Sequence, residues 1–387
     1  MDITIYPARL QGEATAVASK SQAHRLLICA ALADKPTRLL FRQSNRDIDA
    51  TADCLRAMGA TITRSDDGFT VFPIEKCPER AVLPCGESGS TLRFLLPVAG
   101  AFGMDATFRL EGRLPQRPLS PLWEEMERMG CTLTRPDANS IRCMGKLRAG
   151  EYKIDGGVSS QFISGLLFST ALTGGSVCVT GLLQSQPYVT MTQQALRLFD
   201  APPFHSPGVL RVEGDWSAAA FFLTAQALGN RVRVTGLNQH SAQGDRAVTT
   251  LLPQLQQDCP TIGARDIPDL VPVLAVAAAA LHGAIFTGIN RLRTKESDRV
   301  AATIALLEQL GGRAEATEDT LRVFGTGLRG GIVDSCRDHR IAMSAAIAAT
   351  VCREPVRIVD AQCVEKSYPS FWAEYRRLGG NYEQHLR

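Results

Sequence analysis

Apolar and polar positions along this chain follow a two-beat rhythm that returns six times: an Ala/Leu-rich run of helical length, then a short β-branched run. The helical beats fall at 23–32, 92–101, 162–172, 218–228, 270–281 and 341–351. These first helices are apolar almost all round, the pattern of helices enclosed on every side. A second, amphipathic helix follows each strand. In residues 121–129, for example, Leu122, Met126 and Met129 share a face opposite Glu124, Glu125 and Arg128. Gly59, Gly130 and Gly311 then stop such helices, and the short alternating runs around Asp66-Asp67-Gly68, Pro136–Asn139 and Glu318-Asp319 read as hairpins. With the strand that leads in, each unit reads βαβαββ, an internally repeated α/β protein.

Where the rhythm falters, a boundary is implied. Pro202, Pro203 and Pro207 leave little room for a hairpin before Val209, and no clear strand pair lies between Gln257 and Ile267, so the fourth unit reads as shortened. A boundary near Gly214 puts three units on each side. The expected domains are 1–17 with 214–387, and 18–213; the N-terminal ITIYPA strand can close either half.

Composition narrows the class. The 387 residues are 45% hydrophobic and 21% charged with a net charge of +3, which suits a soluble globular protein and gives no reason to expect nucleic acid or a membrane as partner. The 11 cysteines show no C-x-x-C spacing, so reduced thiols, a cytoplasmic location and no metal are expected. MDITIYPARLQGEATAVASK lacks the apolar stretch of a secretory leader, and the Leu270–Leu281 run is too short to span a bilayer.

Polar residues sit just ahead of the apolar helices: SKSQAHR, GESGSTLR, GGVSSQF, EGDWSA, DIPDL and DHRIAM. A helix N-terminus presents unpaired N–H groups and the positive end of the dipole, so each is a natural anion site. Taken singly, SKSQAHR reads as well as a capped helix with solvated Lys20 and Arg25, and TKESDR (Thr294–Arg299) as a salt-bridged surface turn. Asp338-His339-Arg340 differs, because charge at the mouth of a buried helix costs solvation unless a ligand or partner compensates. Lys366-Ser367 reads as an ordinary helix start. GTGLRG (Gly325–Gly330) matches G-x-G-x-x-G, yet a strand follows it rather than a helix, so it is a loop.

Together SKSQAHR, GESGSTLRFL, QRP at Gln116–Pro118, GGVSSQF, SQPY at Ser185–Tyr188, EGDWSAAAFF, IPD at Ile267–Asp269, RTKESDR, DHRIAM and KSYPSF resemble the 5-enolpyruvylshikimate-3-phosphate synthases, in the family's order over nearly the whole chain. The resemblance implies a two-domain inside-out α/β barrel, with three βαβαββ repeats per domain around buried helices and an active site in the interdomain cleft. It implies transfer of the enolpyruvyl group of phosphoenolpyruvate to the 5-hydroxyl of shikimate 3-phosphate, with no cofactor and by a monomer. By the same resemblance Lys20, Ser21, Arg25, Ser159, Ser160, Gln161, Tyr188, Asp269 and Lys295 hold shikimate 3-phosphate. Lys20, Gly89, Arg117, Gln161, Arg299, Arg340 and Lys366 hold phosphoenolpyruvate. Asp269 is the expected base toward the hydroxyl, with Glu296 and Lys20 as proton-transfer partners; simple helix capping is the other reading of Asp269.

Some positions depart from the family pattern. Glu87 stands where members often have Asn, and beside an anion pocket it calls for a cationic partner or a raised pKa. Arg291 replaces an Asn near the expected shikimate phosphate, where added positive charge helps. The rival UDP-N-acetylglucosamine enolpyruvyl transferases carry a Cys before the R-P pair; here that loop reads EGRLPQRP, and Ser21 replaces their Asn. A non-catalytic ligand-binding relative is disfavoured because Lys20, Asp269, Glu296 and Arg340 are all present.

Overall fold

A computed structural model describes residues 1–385. Its contacts divide the chain into two units, Ala18–Glu213 and Met1–Val17 with the chain from Gly214 onward.

In the first of these, helices α1 (Lys20–Ala31), α2 (Arg46–Ala57), α3 (Gly89–Phe102), α4 (Leu122–Arg128), α5 (Ser160–Thr173) and α6 (Gln186–Leu198) alternate between two layers. The apolar α1, α3 and α5 are buried along most of their length, whereas α2, α4 and α6 bury one face. The inner helices approach closely: a Cβ on Gly165 of α5 would lie 2.2 Å from the Arg93 carbonyl oxygen of α3, so that contact requires glycine. Ser19, Ser88 and Ser159 cap the three inner helices, accepting from the amides of Gln22, Thr91 and Gln161.

The sheets follow the repeat. Val209–Arg211 runs parallel to Thr37–Leu40, which continues antiparallel into Gly68–Phe72 and Thr61–Ser65. Arg80–Gly86 pairs in the same way with Asp105–Leu110, Ser140–Gly145 and Cys131–Thr134. Leu39 and Val71 turn inward while Arg38 and Thr70 face outward, the period-2 alternation of a sheet covered on one face. The third repeat has only Gly150–Asp155 parallel to Gly175–Thr180.

The other unit repeats the plan with α7 (Trp216–Ala227), α8 (Val248–Leu255), α9 (Val271–Ala280), α10 (Arg299–Gln309), α11 (His339–Ala349) and α12 (Phe371–Arg377). Here α7, α9 and α11 are the buried set, and Pro272 falls in the first turn of α9, where no N–H partner is lost. Two four-stranded sheets form: Thr261–Gly263, Gly283–Thr287, Thr320–Phe324 and Arg313–Ala316; and Gly331–Asp334, Val356–Val359, Asp2–Tyr6 and Asn381–His385. The N-terminal strand thus closes the sixth repeat. The fourth has only Gln11–Thr15 parallel to Arg231–Thr235.

One sequence expectation needs correcting. Shortening affects the third repeat as well as the fourth: neither has a hairpin among the described residues. In the third, the proline run after Phe199 occupies the stretch before Val209. In the fourth, only residues 256–260 separate α8 from the strand that opens the fifth repeat. The two-layer α/β plan with buried inner helices stands.

Candidate active site

In the unit of residues 18–213, the starts of α1, α3 and α5 gather the polar side chains. At α3, a Cβ on Gly89 would meet Arg117 Nη1 at 2.7 Å and Arg93 Nη1 at 3.0 Å. Two guanidiniums therefore lie against the positive end of a buried helix, an arrangement suited to an anion. Gln161, at the start of α5, braces it: its Oε1 accepts from Arg93 Nη1 at 2.8 Å and its Nε2 donates to Ser90 Oγ at 2.9 Å. Ser159 and Ser160 are buried beside it.

At α1, Lys20 Nζ donates to Asp47 Oδ2 at 2.8 Å, with both side chains largely buried. Arg25 is 2% exposed and bonds to Thr192 Oγ1, the Ser21 carbonyl, Ser164 Oγ and the Tyr188 carbonyl. It also lies 4.9 Å from the Phe94 ring centroid. Burial lowers its pKa to about 10, still well above neutrality. Four acceptors tie Arg25 to α1, α5 and α6, so it locks these helices together at the place where the sequence suggested a substrate contact.

In the other unit, charges concentrate at the mouths of α9, α10 and α11. Arg299, 1% exposed, donates to Asp269 Oδ1 (2.6 Å), Glu296 Oε2 (2.8 Å) and Asp338 Oδ2 (2.8 Å). Asp338 caps α11 and accepts from Ser297 Oγ at 3.0 Å. Arg340 donates from Nη2 to Asp269 Oδ2 at 3.0 Å, while its buried Nε and Nη1 have no acceptor among the described residues. Asp269 is therefore no helix cap: Leu270 holds that position without a side-chain bond. Burial raises the Asp269 pKa, but Arg340, Arg299 and Lys295 outweigh it and hold the carboxylate ionised far below its usual range.

Lys295 sits just ahead of this cluster, where burial, opposed by Asp269 and reinforced by Arg291 and Arg299, lowers its pKa to about 7. Asp245 is buried and accepts from Ser217 Oγ; burial and the Asp269 charge push its pKa to about 7 against the pull of Arg340. Lys366 ends the 3₁₀ turn Ala361–Lys366 and is 9% exposed.

The expected residues thus form separate groups: Gly89, Arg117 and Gln161; Ser21, Arg25 and Tyr188; Lys20 with Asp47; and Asp269, Glu296, Arg299 and Arg340 with Lys295 nearby. Sequence reasoning missed Asp47, Asp245 and the carboxylate role of Asp338. Asp47 and Asp245 look like ordinary acids at helix starts; their burial is the signal, and it depends on distant partners. Glu87 is exposed beside Gly112. Among the described residues no His, Cys, Asp or Glu group is arranged to hold a metal, and no helix is long and apolar enough to cross a membrane.

Residues 5–375 match the family model described as EPSP synthase (3-phosphoshikimate 1-carboxyvinyltransferase). A 3-phosphoshikimate 1-carboxyvinyltransferase of Clostridium botulinum (strain Eklund 17B) is 37% identical over 423 residues, spanning 98% of each chain. One from Clostridium beijerinckii is 35% identical over 428 residues, 99% of this chain and 98% of its own. The solved EPSP synthase from Acinetobacter baumannii superposes with a TM-score of 0.79 at 22% identity, over 99% of this chain and 100% of that one. The enolpyruvyl transferase NikO from Streptomyces tendae superposes at 0.76 with 19% identity, over 100% and 99%. The two structures bear on the fold alone.

Proposed function

The chain belongs to the EPSP synthase (3-phosphoshikimate 1-carboxyvinyltransferase) family, and from that premise we propose how its residues divide the work. The reaction transfers the enolpyruvyl group of phosphoenolpyruvate to shikimate 3-phosphate, in the shikimate pathway. The observation that carries the assignment is Arg340: a buried guanidinium with two nitrogens lacking acceptors among the described residues, which an anionic ligand satisfies.

Phosphoenolpyruvate brings a phosphate and a carboxylate. Arg340 and Lys366 in one unit, and Arg117 with the Gly89 end of α3 in the other, are its proposed anchors. Arg299 contributes indirectly, because its bonds to Asp269, Glu296 and Asp338 make it the organiser of the carboxylates. Lys295, Tyr188, Ser21, Ser159 and Ser160 are assigned to shikimate 3-phosphate; Arg25 and Gln161 support this set by holding helices.

The chemistry is addition followed by elimination. The 5-hydroxyl oxygen bonds to the central carbon of phosphoenolpyruvate, the hydroxyl proton goes to a base, and the methylene carbon gains a proton. The resulting tetrahedral adduct loses that proton again as the carbon–oxygen bond to phosphate breaks. Asp269 is the proposed base. While Arg340, Arg299 and Lys295 face it with no substrate anion bound, its proton affinity is too low for the task; anions binding the cations weaken that field and raise its basicity. Binding of phosphoenolpyruvate thereby prepares the base. Glu296 and Lys20 are the proposed partners for the carbon proton, and the cations stabilise charge on the departing phosphate.

A monomer is part of the same proposal, and the eleven cysteines are free thiols, which supports a reducing, cytoplasmic setting. Purified protein mixed with phosphoenolpyruvate and shikimate 3-phosphate should release phosphate, and UDP-N-acetylglucosamine should not replace the shikimate ester. Release with the nucleotide sugar alone would overturn the acceptor assignment.

A further inference from the structure

Four buried side chains from three elements of the 18–213 unit touch in series. His24 Nδ1 lies 2.7 Å from Thr51 Oγ1, Thr51 Oγ1 lies 2.6 Å from Thr91 Oγ1, and Thr91 Oγ1 donates to Ser88 Oγ at 2.7 Å. His24, Thr51 and Thr91 are fully buried and Ser88 is 1% exposed. The series starts on α1, crosses α2 and ends on the cap of α3, one residue before Gly89.

Hydrogen counting gives this series a direction. Each hydroxyl has a single proton. Thr91 gives its proton to Ser88 Oγ at 2.7 Å, the Asp47 carbonyl being a far longer alternative at 3.5 Å; either way that proton is spent, so in the contact between the two threonines Thr51 is the donor. With its proton used, Thr51 can only accept from His24, which makes His24 the tautomer protonated on Nδ1. Its Nε2 is then a bare acceptor, consistent with having no partner among the described residues and with the Phe94 ring packed edge-on at 6.3 Å. Burial, reinforced by Lys20 and Arg25 and opposed by Asp47, lowers the His24 pKa to about 3, so the ring stays neutral. At the far end Ser88 Oγ accepts twice, from Thr91 Oγ1 and from the Thr91 amide at 3.3 Å. Its own proton has no acceptor among the described residues.

We propose that His24 is a positioning residue: the one-way chain from His24 through Thr51 and Thr91 fixes the Ser88 hydroxyl so that its proton is offered, beside the free amides of α3, to the anion held there. The inference rests on the reading that the Gly89 end binds phosphoenolpyruvate. It adds an oriented neutral donor to a site otherwise built from cations and backbone amides, and it assigns that donor's orientation to a residue on another helix.

The test compares His24→Leu, His24→Asn, Thr51→Val and Ser88→Ala in the full-length protein. Leu removes the donor, whereas the Asn amide nitrogen sits where Nδ1 does and can supply it. His24→Leu, Thr51→Val and Ser88→Ala should each raise KM for phosphoenolpyruvate about two- to tenfold, the range of one neutral hydrogen bond, with kcat and KM for shikimate 3-phosphate unmoved. His24→Asn should restore the parental KM, and His24→Leu combined with Ser88→Ala should cost no more than either alone. Nitrogen NMR of the ligand-free parent should show His24 protonated on Nδ1 and bare on Nε2 throughout the range in which exposed histidines titrate. An Nε2 proton, an Asn variant as impaired as Leu, additive losses or an unchanged KM in His24→Leu would each overturn the chain. Because the NMR needs no substrate, a protein that shows the expected tautomer yet releases no phosphate refutes the functional reading instead.

Discussion

Arg340 reaches Asp269 through one nitrogen, 3.0 Å from Oδ2, and leaves the rest of a 3% exposed guanidinium without an acceptor among the described residues. The aspartate thus opposes only part of what Arg340 offers. Replacing it by asparagine keeps its shape and some of its bonds but removes a base. Asp269→Asn should lower turnover by roughly 10²- to 10⁴-fold, the usual weight of a general base, while phosphoenolpyruvate still binds. Stopped-flow and equilibrium binding separate the two; turnover within tenfold of the parent would remove Asp269 from its role.

Gly89→Ala acts through a different contact. The added Cβ falls 2.7 Å from Arg117 Nη1, the tip of a flexible side chain, so the fold accommodates it by displacing the cation. The expected outcome is a KM for phosphoenolpyruvate raised about tenfold or more, as for a lost charge-assisted bond, with the melting temperature little changed. An unaltered KM would place the anion elsewhere.

Lys295 should impose a pH limit. Its pKa of about 7 means that the ligand-free protein loses this charge as pH rises through neutrality. Apparent kcat/KM for shikimate 3-phosphate should therefore fall on the alkaline side, and Lys295→Arg should move the limb upward. The stability trend runs the other way. Between about 7 and the ordinary lysine value of 10.5 the unfolded chain binds more protons than the folded one, so stability rises with pH in that window. Lys295→Met should flatten that rise.

Asp245 inverts the usual carboxylate behaviour. Its pKa is pushed up to about 7 from the ordinary aspartate value of 3.8, so the folded chain holds the extra proton. Its contribution to stability is present below pH 3.8 and is lost as pH rises toward 7. Asp245→Asn imitates the protonated form and should melt at a higher temperature than the parent at pH 8, with the gap closing in acid. Equal melting temperatures at pH 8 would mean that Asp245 is ionised without cost.

The inner helices were readable because burial on all sides leaves a local mark, and the boundaries expected at 23–32 and 341–351 fall close to the observed Lys20–Ala31 and His339–Ala349. The missing hairpin of the third repeat was signalled by the prolines before Val209, but a lone parallel pair such as Gly150–Asp155 with Gly175–Thr180 looks locally like the start of a full unit, so the shortening reads as the fourth's. The motif residues were legible as types but not as pairs. Lys20 meets Asp47 across 27 positions and Arg340 meets Asp269 across 71, separations at which no periodicity survives. For the same reason the bonds of Arg25 to the helices around it left no mark in the sequence.

The strand Asp2–Tyr6 pairs on one side with Val356–Val359 and on the other with Asn381–His385. During synthesis it leaves the ribosome long before the strands it pairs with, and its sheet cannot form until they follow. Gln11–Thr15 waits for Arg231–Thr235. Residues 18–213 have no such debt, since their strands pair only with one another. The expected order of assembly is therefore inner segment first, with the flanking unit completed after its final strands emerge. Nascent chains in which residue 213 has just cleared the ribosome should already resist protease over 18–213, while residues 2–6 remain open to cleavage until Asn381–His385 has emerged.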